Sequence, residues 1–111
     1  MLNISETKKG SALVMNVSGR VDSATSPDLE RRMGELIQAG ELTMVLNLSQ
    51  LAYISSAGLR VFLTGAKKLR AAGGKLLLCS LTGMVKEVFM MSGFYDIMSI
   101  YESEDKALSD V

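Results

Sequence analysis

The chain has 111 residues, of which 48% are hydrophobic, which suits one compact domain with a core; two separate domains would each be marginally small, so we expect a single domain over residues 1–111. Twelve basic and twelve acidic side chains cancel, so no global field attracts nucleic acid or an anionic membrane surface. The apolar runs are far shorter than the roughly 20 residues of a membrane-spanning helix, and the N-terminus lacks a signal-peptide pattern. We therefore expect a cytoplasmic protein without nucleic-acid or membrane partners.

The residue types that are absent restrict the chemistry. There is no histidine, so neither a Ser-His-Asp or Cys-His nucleophile nor a usual His-containing zinc site can be built. The glycines match neither of the common phosphate-binding patterns, G-x-G-x-x-G and G-x-x-x-x-G-K-[ST]. The single cysteine, Cys79, lies in an apolar run and is expected to be a buried core residue. These features predict a protein that is not an enzyme and that needs neither a metal nor another cofactor.

Strand and helix patterns alternate along the first half of the chain. Residues 11–18 (SALVMNVS) have the period of a strand, and residues 3–9 (NISETKK) are predicted to pair with it through a turn at Gly10. A helix is predicted to follow, with Ser26 as its N-cap and Pro27 at its first position, and to extend to Gly40. Residues 43–49 (TMVLNLS) are predicted to form a buried strand that leads directly to Ser55.

The second half continues the alternation. A helix is predicted over the apolar stripe from Leu59 to Leu69, with a stop at Gly73 and Gly74. Then come a buried strand in KLLLCSL, a short helix in GMVKEVFMMSG, a last strand in YDIMSIY and a short helix in SEDKALSD that Ser103 can cap. This order predicts an α/β fold with parallel neighbouring strands.

Methionine is frequent, and four of the eight cluster late in the chain, at Met84, Met90, Met91 and Met98. We expect them to fill the core, because methionine adapts to irregular gaps. The alternative is a deformable docking surface.

Two small hydroxyl residues, Ser55 and Ser56, interrupt the apolar pattern of residues 53–63 (YISSAGLRVFL). They stand at the predicted N-terminus of the second helix, where one hydroxyl can cap the helix by accepting a backbone N–H bond. They also follow a buried strand, and α/β sheets present functional groups at the C-terminal ends of strands. A helix N-terminus tolerates an anionic group such as a phosphate on serine. The residues alone leave both interpretations open.

Residues 46–79 (LNLSQLAYISSAGLRVFLTGAKKLRAAGGKLLLC) resemble the central signature of the STAS domain family, and GRVDSATSPDLE resembles the G-x-[LIV]-D-x-x-[TS] segment that precedes its first helix. The resemblance spans nearly the whole chain. It implies a mixed sheet of four or five strands with about four helices mainly on one side. Among STAS proteins the chain looks like a stand-alone bacterial anti-sigma factor antagonist.

The resemblance implies a partner switch. The unmodified antagonist binds an anti-sigma factor that is itself a serine kinase and so releases a sigma factor; phosphorylation of a serine in the D-S-[ST]-G-[LIV] motif ends binding, and a serine phosphatase restores it. Aligning Gly58 and Leu59 with the end of this motif puts the phosphorylated serine at Ser56. Ser55 then stands where the motif has Asp, and Ala57 where it has a second hydroxyl residue. Ser55 is therefore an alternative acceptor, and binding without phosphorylation stays open.

A partner-binding surface around Ser56 is implied as well, with candidate residues Asp22, Thr25, Ser55, Ser56, Ala57, Gly58 and Arg60. The loop with Asp22 and Thr25 is expected to emerge at the Ser56 end of the sheet, although both residues equally suit a turn or a helix cap. Arg60, one turn after Ser56, can face an acidic partner or be solvated.

Two other classes of function fit less well. One is a STAS scaffold or ligand-sensing module that is not regulated by its own phosphorylation. The other is an aspartyl-phosphate receiver or a small α/β enzyme, but a receiver needs an acceptor Asp at a strand end and the strand at 43–48 ends in Leu48 and Ser49. Whether two copies associate stays open.

Overall fold

A computed structural model describes residues 1–111 as six strands and five helices. The strands are β1 (Leu2–Lys9), β2 (Ala12–Val21), β3 (Thr43–Asn47), β4 (Leu51–Ile54), β5 (Lys75–Cys79) and β6 (Ser99–Tyr101). The helices are α1 (Ser26–Gln38), α2 (Ser56–Ala71), α3 (Gly83–Ser92), α4 (Phe94–Ile97) and α5 (Glu104–Leu108). The predicted α/β fold is confirmed, with one strand and one helix more than the largest numbers expected.

All six strands join one mixed sheet. β1 and β2 form the predicted antiparallel hairpin, and Gly10, with φ of +63°, supplies the left-handed conformation in its turn. Strands β2, β3, β5 and β6 then lie side by side and parallel. β4 is also parallel to β2 and pairs with its last three residues, beyond the part that β3 occupies. The C-terminal ends of the parallel strands therefore share one edge of the sheet.

The alternation of side chains along the strands divides the core between the two faces of the sheet. On one face, residues such as Met15 and Leu46 pack with Leu29 of α1, Phe62 of α2 and Phe89 of α3 in a cluster of 22 buried residues. The opposite face has a cluster of only 6 buried residues, which includes Cys79 and Ala107 of α5. The expectations that the helices lie mainly on one side and that Cys79 is buried are both confirmed.

The start of α1 differs from the prediction by one residue. Thr25 holds the N-cap position, so Ser26 is the first helical residue and not the N-cap. The N–H of Ser26 donates to the carbonyl of Asp22 at 2.8 Å, which means that the loop before the helix already carries a helix-like hydrogen bond. The helix therefore begins at Ser26, one residue before the predicted first position, Pro27.

The strand that leads to Ser55 also differs from the prediction. β3 ends at Asn47, whose side-chain oxygen accepts a 3.0 Å hydrogen bond from the N–H of Ser49 and so starts a turn. After this turn the separate strand β4 forms, and Ser55 follows β4 rather than the strand at 43–49. Since β4 is parallel to β2, the serines still lie at the C-terminal edge of the sheet.

Two predictions about residues 84–101 are partly wrong. The run YDIMSIY is half helix, because Gly93 ends α3 with φ of +81° and the chain makes the turn α4 before β6 begins at Ser99. Of the four late methionines only Met98 lies in the core, at 8% exposure, whereas Met84, Met90 and Met91 are 45%, 58% and 87% exposed. The reason is that α3 turns only Val85 and Phe89 fully inward.

Candidate functional site

The two serines at the start of α2 have different surroundings. Ser55 is the N-cap: its backbone is extended, with ψ of 175°, and its Oγ accepts a 3.3 Å hydrogen bond from the N–H of Gly58. Ser56 is the first helical residue, and its side chain is exposed while Ser55 is half-buried. The capping interpretation therefore describes Ser55, and Ser56 has a hydroxyl that a second protein can reach.

The loop between β2 and α1 is fixed by its own side chains. Oδ1 of Asp22 accepts hydrogen bonds from the N–H groups of Ala24 and Thr25, both at 3.0 Å. Oγ1 of Thr25 accepts from the N–H of Asp22 and donates to the carbonyl of Arg20, both at 2.9 Å. These bonds, led by the one from the Thr25 backbone, hold the pKa of Asp22 below its usual range. Asp22 and Thr25 thus act as turn residues, and their loop presents a preformed surface.

The serines and this loop are adjacent, as the sequence predicted. The N–H of Ser55 donates to the carbonyl oxygen of Val21 at 2.9 Å. Gly58 packs so closely on the end of β2 that an added Cβ would lie 2.7 Å from Cγ1 of Val21 and 2.8 Å from Cγ1 of Ile54. Gly58 therefore serves close packing, which brings the first turn of α2 against β2.

The two remaining candidates also lie on α2, Ala57 in its first turn and Arg60 in its second. Arg60 is exposed, stands four residues after Ser56 on the same side of the helix and forms no ion pair. Ala57 is half-buried. The structure thus brings all seven candidate residues to one edge of the sheet.

One neighbouring pair was missed by the sequence reasoning. The guanidinium carbon of Arg20, at the end of β2, lies 4.2 Å from the centre of the Tyr53 ring on β4, and its Nε lies 3.9 Å from Oδ2 of Asp22. Arg20 and Tyr53 are register partners of the β2–β4 pair. No sequence signal could reveal this contact, because it depends on a strand pairing that the residue pattern does not predict.

The shape of this edge favours contact with a large partner. The three surface clefts, the largest of about 320 Å³, are lined by residues elsewhere, and none includes residues 20–25 or 53–60. The serine edge is therefore an open surface, which suits a protein better than a small ligand, since a small ligand needs an enclosing pocket.

No group of three or more Cys, Asp or Glu side chains is arranged to hold a metal ion. None of the helices has the length and apolar character needed to cross a bilayer.

Residues 3–107 match the STAS domain family, so the chain belongs to that family and the resemblance in its sequence is confirmed. It is 44% identical to the Bordetella bronchiseptica protein named "Putative anti-sigma factor antagonist BtrV" over 95 residues, or 86% of this chain and 82% of that protein. It is 34% identical to the anti-sigma F factor antagonist of Paenibacillus polymyxa over 89% of this chain and 86% of that one.

The fold is that of solved STAS proteins. An anti-sigma factor antagonist from Mycobacterium paratuberculosis superimposes with a TM-score of 0.90 at 22% identity, over 100% of this chain and 94% of that one. The relatives bear the names of regulatory proteins and not of enzymes, which confirms the prediction that the chain is not an enzyme.

Proposed function

We propose that the chain is a cytoplasmic bacterial anti-sigma factor antagonist that works by partner switching. Unmodified, it binds an anti-sigma factor with serine kinase activity and so releases a sigma factor. The binding surface consists of Asp22, Thr25, Ser55, Ser56, Ala57 and Arg60, and the buried Gly58 holds the first turn of α2 in place beneath them. Phosphorylation of Ser56 by the kinase ends the interaction, and a serine phosphatase restores it. Support comes from family membership and from the names of the two relatives.

The observation that carries the assignment of the acceptor is the difference between the two serines. The Ser55 hydroxyl is engaged in capping α2, so its phosphorylation would disrupt the cap, whereas the exposed Ser56 hydroxyl is free of that role. The first N–H groups of a helix have no intrahelical partner, and the positive end of its dipole favours a negative charge. A phosphate on Ser56 is therefore compatible with the fold.

The charge of the phosphate is large enough to act as a switch. It adds about −1.5 to −2 charges at one point of the contact surface. At about 4 Å from a partner carboxylate, with an effective dielectric constant near 20, the repulsion is on the order of 4 kcal/mol per charge pair. Since each 1.4 kcal/mol is about tenfold, the affinity would fall by roughly three decades. No refolding is required.

The test is to phosphorylate the chain with ATP and lysate from its own bacterium and to map the phosphate by mass spectrometry, with Ser55→Ala and Ser56→Ala as matched variants. We expect stoichiometric phosphate on Ser56 that only Ser56→Ala abolishes. The kinase captured by the unmodified chain should be an anti-sigma factor and should no longer bind the phosphorylated chain.

Two results would contradict this assignment. Phosphate on Ser55, lost in Ser55→Ala alone, would make the capping serine the acceptor. Partner capture with no phosphate on either serine, and with unchanged affinity in Ser56→Asp, would indicate a constitutive STAS scaffold or ligand-sensing module.

A further inference from the structure

Positive side chains outnumber negative ones around the serine site. Segments 20–25 and 53–60 contain three charged residues, namely Arg20, Asp22 and Arg60. The carboxylate of Asp22 accepts hydrogen bonds from backbone N–H groups of its own loop and faces Arg20. Arg60 has no ion pair. The surface therefore has a net charge of one positive unit, although the whole chain is neutral.

Arg20 is held in place rather than loosely solvated. Its side chain is 52% exposed, yet the guanidinium stacks on the Tyr53 ring at 4.2 Å and faces Asp22 at 3.9 Å. The strand register shifts between Gly19 and Arg20, and such irregularities redirect side chains. A guanidinium fixed on an aromatic ring loses little freedom when it binds a carboxylate, and Arg and Tyr are enriched among residues that dominate binding energy.

Arg20 also lies beside the serines. It immediately precedes Val21, whose carbonyl accepts the hydrogen bond from Ser55, and Tyr53 stands three residues before Ser56. Val21 and Ile54 point into the core under α2, so the neighbouring Arg20 and Tyr53 point to the opposite face of the sheet. The 3.9 Å approach of Arg20 to Asp22 joins the pair to the loop beside Ser55, and a partner that covers Ser56 and this loop reaches the pair at the edge of the sheet. This relationship rests on the proposed function, because it assumes a partner at Ser56.

We propose that the Arg20–Tyr53 pair determines partner specificity by accepting a carboxylate of the anti-sigma factor, with Arg60, on the exposed side of α2, as a second cation at the same edge of the sheet. Phosphorylation of Ser56 then reverses the net charge of this surface, because about −1.5 to −2 charges are added to one positive unit. The phosphate also lies one helical turn from Arg60, within reach of an i to i+4 pair that removes this cation from the partner. Both effects repel an acidic partner.

The test uses the purified anti-sigma factor that the unmodified chain captures, and measures Kd by calorimetry at low and at physiological ionic strength. We expect Arg20→Glu to weaken binding by about tenfold or more, and more strongly at low salt. Arg20→Lys, which keeps the charge, and Tyr53→Leu, which removes the ring, should each lose only about threefold. The matched control is Arg70→Glu, because Arg70 is an exposed arginine without an ion pair at the other end of α2.

The outcomes separate this inference from the proposed function. Restored binding of Arg20→Glu to a partner variant with one interfacial carboxylate changed to Lys would establish the pairing. Wild-type or tighter affinity in Arg20→Glu, together with lost binding in Ser56→Asp, would overturn the inference and leave partner switching intact. Failure of the wild-type chain to bind any anti-sigma factor would overturn both. Circular dichroism of each variant checks that a loss does not come from unfolding.

Discussion

The N–H of Ser55 donates a 2.9 Å hydrogen bond to the carbonyl oxygen of Val21, which fixes the N-cap of α2 to the last residue of β2. The residue after β2 is Asp22, which organises the loop, and the residue after the N-cap is Ser56. This bond, together with the packing of Gly58 on Val21 and the β2–β4 pairing, sets the relative position of the two segments that form the candidate partner surface. Substitutions on either side of this bond test the contacts that it aligns.

Replacement of the two serines should separate capping from modification. Ser55→Ala removes the acceptor of the Gly58 N–H and should lower the free energy of unfolding by about 1 kcal/mol. Ser56→Ala removes an exposed hydroxyl that takes no part in the cap and should change it by less than about 0.5 kcal/mol. Urea unfolding of both variants measures the difference, and equal effects would contradict the assignment of Ser55 as the cap.

Gly58→Ala should destabilise the protein although alanine favours helices. Its Cβ would lie 2.7 Å from Val21 Cγ1 and 3.1 Å from the Val21 carbonyl oxygen, so either α2 or β2 must move. We expect a net loss of about 1–3 kcal/mol, as for other overpacked sites. Gly34→Ala in α1 is the matched control, because its Cβ meets no atom within 4 Å.

In Gly34→Ala the helix preference of alanine should act alone and raise the unfolding free energy by up to about 1 kcal/mol. Thermal or urea unfolding compares the two glycine variants directly. Stabilisation by both substitutions would show that the end of β2 yields easily and that close packing at Gly58 does not define the site.

The sequence predicted most of the fold because most elements have a clear period. The hairpin around Gly10, helices α1 and α2 and strand β5 all show it. The family motif points to Ser56 as the acceptor, which stays a prediction. β4 was missed because its inward residues, Leu51 and Ile54, are three positions apart, whereas residues on one face of a regular strand are two positions apart. Ala52 is an extra residue of β4 that has no register partner between Gly19 and Arg20 of β2, and it accounts for this spacing.

The Arg20–Tyr53 contact was missed for the same reason, since it exists only across the β2–β4 pair. The late methionines were assigned to the core from their residue type alone, and three of the four are exposed. A hydrophobic residue on a short helix can face either way. The burial of Val85 and the packing of Phe89 on Phe62, with ring centres 6.0 Å apart, determine which side of α3 is buried.

The exposed and buried methionines should respond differently to substitution. Met91→Gln, at a side chain that is 87% exposed, should change the unfolding free energy by less than about 0.5 kcal/mol. Met98→Ala, at 8% exposure, should cost about 2–5 kcal/mol because it leaves a cavity under α4 and β6. Urea unfolding measures both. A large loss of unfolding free energy in Met91→Gln would show that Met91 packs in the core and would contradict its exposed position.

The loop carboxylate should make stability depend on pH. The pKa of Asp22 is lowered in the folded protein, chiefly by the N–H of Thr25, so its ionised form stabilises the fold. This stabilisation is fully present above the ordinary Asp pKa of about 3.9 and is lost as the pH falls through the lowered, folded-state value. Wild type should thus be more stable than Asp22→Asn at neutral pH, and the difference should shrink in acid.

Unfolding by urea at a series of pH values measures the Asp22 difference directly. Glu6 and Glu104 also have lowered pKa values, so the comparison with Asp22→Asn is needed to isolate one group. Asp96→Asn is the control, since Asp96 is exposed and forms no ion pair. A difference between wild type and Asp22→Asn that stays constant down to the acid end would contradict the role of the charge.

A negative charge at position 56 should leave the fold intact. Ser56→Asp adds the charge at the first residue of α2, where the helix dipole favours it by about 0.3–1 kcal/mol, so the free energy of unfolding should be unchanged or slightly higher. Ala71→Asp adds the same charge at the last residue of α2, where it should be unfavourable by a similar amount. Thermal unfolding at low salt, where the dipole effect is largest, compares them. A substantial loss of stability in Ser56→Asp would mean that modification of this serine acts by unfolding the start of α2, because a purely local change of surface charge leaves the helix in place.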